Sequence, residues 1–96
     1  MPETHFEIEW PDGSQESCYS PSSVVKKYFS ADREYLLGEF IALSRTALQT
    51  ASDRVQAKYH LPCSKALGQL QHLEQTATKY NNLPQPKVRL IRFIES

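Results

Sequence analysis

His5-Phe6-Glu7-Ile8-Glu9-Trp10-Pro11-Asp12-Gly13 decides the fold. Phe6, Ile8 and Trp10 alternate with His5, Glu7 and Glu9. A period of two over six residues predicts a strand with one buried face. Asp12-Gly13 then predicts a tight turn. Ser14-Gln15-Glu16-Ser17-Cys18-Tyr19-Ser20 returns as a polar partner strand, so residues 5–20 form a hairpin. A hairpin alone is marginal in water and needs a further strand or helices against its apolar face.

That requirement organises the rest of the chain. Ser20-Pro21-Ser22-Ser23 carries capping serines and a first-turn proline, predicting a short helix over about 21–29. Residues 30–34 read as a polar linker. Leu37, Phe40, Ile41, Ser44, Ala47, Leu48, Ala51, Val55 and Tyr59 follow helical spacing and predict a long helix over 36–59. Pro62 ends it. Ala66, Leu67, Leu70, Leu73, Ala77 and Tyr80 predict another helix over 64–80. Asn81 to Pro86 is a stop, and Lys87–Ile94 is strand-like but apolar on both faces. Val88, Leu90 and Ile94 share one face, with Ile91 and Phe93 on the other. The whole reads as one α+β domain over 1–96. Hairpin and last strand form a small antiparallel or mixed sheet, with one short and two longer helices on one face.

The 96 residues carry 11 acidic and 11 basic side chains. Residues 1–40 hold eight acids and three bases, and residues 41–96 hold three and eight. The halves are thus −5 and +5. Pairing the last strand with the first would set Arg89 or Arg92 beside Glu7 or Glu9 and neutralise the split internally. The sharper alternative is self-association, such as a homodimer, or a charged docking surface. No basic run exceeds Lys26-Lys27, which argues against nucleic-acid binding. No stretch is long and apolar enough for a membrane span. The polar start Met1-Pro2-Glu3-Thr4 lacks a leader's charge and apolar run, so a cytoplasmic chain with reduced thiols is expected.

The candidate chemistry is sparse. His60 and Cys63 stand as His-x-x-Cys with Cys18 far off, short of a zinc ligand set, and no metal is expected. Cys63 precedes a predicted helix start, where a thiol pKa falls, and His60 could serve as its base. With Cys18 and Tyr19 these two make a candidate pocket or thiol site. Phosphate-binding glycine motifs are missing. Glu7 and Glu9 read as a solvated strand face and Trp10 as core. No cofactor and no catalytic residue is assigned. Arg45, Arg54 and Lys58 fall outside the long helix's apolar stripe and form the candidate interaction surface.

Several segments together carry a family resemblance. They are Phe6-Glu7-Ile8-Glu9-Trp10-Pro11-Asp12-Gly13, Cys18-Tyr19-Ser20-Pro21-Ser22, Val24-Val25 and Glu39-Phe40. They continue with Ser44-Arg45-Thr46-Ala47-Leu48, Ala51-Ser52-Asp53-Arg54-Val55, Lys58-Tyr59 and Cys63-Ser64. In these the chain resembles the nitrogen-starvation response proteins of cyanobacteria and other bacteria. Such proteins are typically encoded beside a nitrilase-like hydrolase, a radical enzyme, an acetyltransferase, a flavoprotein and a glycosyltransferase. The resemblance implies an accessory or regulatory part in a nitrogen-responsive pathway, with pathway proteins as partners, and supplies no catalytic residues. A small enzyme or ligand carrier with a cysteine-containing pocket is the alternative, and a nucleic-acid-binding regulator the third reading.

Overall fold

The computed structural model describes residues 3–60 and 64–95. Strand β1 (Thr4–Glu9) pairs antiparallel with β2 (Gln15–Ser20), with Phe6 opposite Cys18 and Glu7 opposite Ser17. The turn between them closes by two backbone hydrogen bonds. Gly13 N–H donates to the Trp10 carbonyl at 2.8 Å, and Trp10 N–H to the Ser14 carbonyl at 2.7 Å. Asp12 accepts from the Ser14 hydroxyl at 2.6 Å and the Ser14 N–H at 2.9 Å, which hold its carboxyl below the usual range. Gly13 has φ +90°, a conformation that side chains rarely adopt.

The short helix expected over 21–29 is instead a 3₁₀ segment, Ser23–Lys27, whose N-cap Ser22 accepts from Val24 N–H. The next strand begins six residues later. That strand, β3 (Arg33–Leu36), occupies part of what reads as a linker. Only Tyr35 is buried on it, so its sequence shows no alternation. Helices α1 (Leu37–Tyr59) and α2 (Ser64–Ala77) follow, and a 3₁₀ turn, Thr78–Tyr80, replaces the end of the second expected helix. Strand β4 (Lys87–Glu95) completes an antiparallel sheet of order β2-β1-β4-β3.

Strand β4 contains a bulge. Ile8 faces Leu90 but Glu7 faces Arg92, so Ile91 has no counterpart in β1. An extra residue reverses the alternation beyond it. Val88 and Leu90 are buried before the bulge, and Phe93, opposite Phe6, packs on the core after it. Ile94 faces outward, opposite His5, and is 46% exposed. The inward set is therefore Val88, Leu90 and Phe93, which corrects the expected grouping of Ile94 with Val88 and Leu90.

The core is built around aromatic rings. Phe29 stands 6.0 Å from Phe6, 5.4 Å from Tyr35 and 5.5 Å from Phe40. Trp10 stacks on Tyr80 at 5.6 Å and meets Phe40 edge-on at 5.9 Å. Such pairs add about 0.5–1.5 kcal/mol beyond burial. The face of the sheet away from the helices carries charge. Arg92 donates to Glu7 at 2.6 Å, as the pairing of first and last strands predicts. Arg89 lies opposite Glu9 but turns its guanidinium to Asp32. These hydrogen bonds raise the pKa of both arginines. Both pairs join an acid of the first forty residues to a base near the C-terminus.

Candidate functional site

Two parts of the surface hold the sequence-derived candidates. The first is a shallow groove between β2 and α2. Tyr19 and Cys18 are neighbours on β2, so their side chains leave the sheet on opposite faces. Cys18 points into the core with no exposed surface, and burial, with Glu16 adding to it, pushes its thiol well above the ordinary value. That environment disfavours the thiolate a nucleophile needs. Tyr19 is half-buried on the other side, and His5 meets it edge-on at 5.8 Å.

Helix α2 presents Lys65, Gly68, Gln69 and His72 to this groove, a spacing of i, i+3, i+4 and i+7 that makes one helix face. The Tyr19 N–H, on the open edge of β2, donates to Gln69 Oε1 at 2.9 Å. This satisfies a backbone donor on an edge strand and fixes the Gln69 amide through its oxygen, so its NH₂ is not the group spent on Tyr19. The Lys65 ammonium sits 5.8 Å from the Tyr19 ring centre. Glu16 closes the far end. One of its oxygens accepts from Trp10 Nε1 at 2.5 Å, and the other bonds His72 Nε2 at 2.9 Å. The groove is open to solvent and offers about 560 Å³ of space. At its centre Gly68 has nothing within 4 Å of where a Cβ would stand. A mid-helix glycine costs about 1 kcal/mol relative to alanine, and here no close packing requires it.

The second part is the outer end of α1. From Asp53 to His60 no residue is buried. Tyr59, expected on the apolar stripe, is 57% exposed. Arg54 and Lys58 are exposed one turn apart, with no carboxylate partner among the described residues, and Lys58 lies 5.4 Å from the Tyr59 ring centre. Arg45 belongs elsewhere, bound to Glu74 of α2 at 2.7 Å. His60 caps the helix in the left-handed conformation, φ +64°, its N–H donating to the Gln56 carbonyl at 2.7 Å. It is exposed there, and Cys63 lies outside the described residues. The structure thus places Tyr19 in the groove, Cys18 behind it in the core, and His60 at the end of α1.

Lys65, Gln69 and His72 are absent from the sequence-derived set. Their spacing was the available signal, since a polar stripe with a glycine inside it runs beside the apolar stripe of Ala66, Leu70, Leu73 and Ala77. Among the described residues no group of three or more His, Cys, Asp or Glu side chains could hold a metal ion, and no helix is long and apolar enough to cross a membrane. Residues 5–93 match the profile of a protein family described as nitrogen starvation-induced protein NitG. No curated protein and no solved structure matches the chain.

Proposed function

Because the chain belongs to the NitG family of nitrogen starvation-induced proteins, we propose that it is a non-catalytic accessory protein of a nitrogen-responsive pathway. It acts in the cytoplasm by docking the outer end of α1 onto an acidic surface of a pathway enzyme. The observation that carries this reading is the cluster of Arg54, Lys58 and Tyr59. Four other basic side chains, Lys26, Arg45, Arg89 and Arg92, are held by carboxylates within the fold. Arg54 and Lys58 instead form a like-charge i, i+4 pair, which costs an isolated helix about 0.2–0.5 kcal/mol. An exposed tyrosine beside unpaired cations has the composition of an interface anchor. Charge of this kind governs encounter rate and partner choice.

The test is direct binding of the purified chain to each enzyme class that the resemblance implies as a neighbour: nitrilase-like hydrolase, radical enzyme, acetyltransferase, flavoprotein and glycosyltransferase. One of them should bind, and Arg54→Glu with Lys58→Glu should weaken that complex at least about tenfold at moderate salt. A chain that binds none of the five, or a double variant that binds equally well, sinks the proposal.

A further inference from the structure

The β2–α2 groove lies apart from the docking end of α1 and points to a ligand of its own. We infer that it is a binding site for a small organic carboxylate. Three observations carry this. Lys65 and Gln69, one helical turn apart, line the same groove with an ammonium-bearing and an amide side chain. The Gln69 oxygen is engaged by the Tyr19 N–H at 2.9 Å, so its NH₂ is the end not spent on that bond. Lys65 has no carboxylate partner among the described residues and rests over the Tyr19 ring. Gly68 keeps the space between the two donors open, although nothing in the fold lies close enough to exclude a side chain there.

The groove's own carboxylate does not compete for these donors. Glu16 spends one oxygen on the Trp10 indole and the other on His72. That leaves the ammonium and amide to span the two oxygens of a planar carboxylate, and the flat Tyr19 ring as a wall for its carbon skeleton. Charge-assisted hydrogen bonds of this type are stronger than neutral ones, and a pre-oriented donor loses little freedom on binding. The groove is open, and its space of about 560 Å³ is of the size a small metabolite occupies.

The probe is succinate, titrated into the ¹⁵N-labelled chain at constant ionic strength and followed by amide chemical shifts. Saturable shifts are expected at Gly68 and at the backbone and side-chain amides of Gln69. Lys65→Met should weaken them at least about tenfold. Gly68→Leu, which fills the gap on an exposed helix face, should abolish them, while Lys27→Met, outside the groove, should leave them unchanged. The proposal is overturned by no saturable shift at tens of millimolar succinate, or by equal affinity in Lys65→Met. It is equally overturned if inorganic phosphate produces the same shifts at the same concentrations. Lys65→Met alone decides the matter if Gly68→Leu loses its fold.

Discussion

The open face of the sheet and the outer end of α1 use the same residue types to opposite ends. On the sheet, Arg92 meets Glu7 and Arg89 meets Asp32, so charges from distant parts of the chain close on one another. On the helix, Arg54 and Lys58 stand together with no carboxylate partner among the described residues. The difference shows that what an exposed cation contributes is set by what the fold places opposite it. Charges on the sheet help fix a register, whereas charges on the helix end remain available to something outside the molecule.

The comparison breaks most visibly in stability. Phe6→Ala, in the sheet's buried face, should cost about 3–5 kcal/mol in urea denaturation. Tyr59→Ala should stay within about 0.5 kcal/mol of the parent. The next effect appears with pH in a Cys63→Ser background, where Cys18 is the sole thiol. Its folded pKa lies above its unfolded value near 9.0. Stability from this group is therefore complete below that value and falls as pH rises toward the folded pKa. Relative to a Cys18→Ala control, the loss should approach about 1.4 kcal/mol per pH unit in that window. An identical pH slope in the two proteins would contradict the burial of the thiol. Smaller still, Arg92→Glu should lower the thermal midpoint slightly, and the exchanged pair Glu7→Arg with Arg92→Glu should recover most of the loss. The smallest change sharpens the contrast. Lys58→Glu should leave stability within about 0.5 kcal/mol by thermal melting, because relief of the Arg54 repulsion is opposed by placing a carboxylate in the last turn of the helix, while attachment to an acidic partner weakens.

The hairpin is legible because six residues alternate without exception and an Asp-Gly turn follows. The adjacency of β1 and β4 is legible from the charge split. Strand β3 is not, because its two apolar residues, Tyr35 and Leu36, are adjacent rather than alternating, and Arg33 and Glu34 read like linker. The parity of β4 is hidden by Ile91, which puts apolar residues on both sides of any regular strand drawn through it. At the candidate site, alternation already separates Cys18 from Tyr19. What it cannot show is which helix face comes to lie beside Tyr19, since the meeting of β2 and α2 is purely tertiary. Arg54 and Lys58 were readable as residues outside the stripe. Arg45 was equally so, and only the position of Glu74 distinguishes it.

The bulge at Ile91 has a consequence for how the chain finds its register during folding. A uniformly alternating strand can slide by two residues along its neighbour and still bury the same kind of side chain, so such errors are nearly silent. Strand β4 changes phase partway along, with Leu90 inward on one side of the break and Phe93 inward on the other. A slip of two residues would carry the break past its place opposite Glu7 and Ile8 and turn at least one apolar side chain outward. The extra residue thus acts as a key cut for one lock, making the misaligned sheets that remain possible for the longest strand distinguishable from the native one by energy.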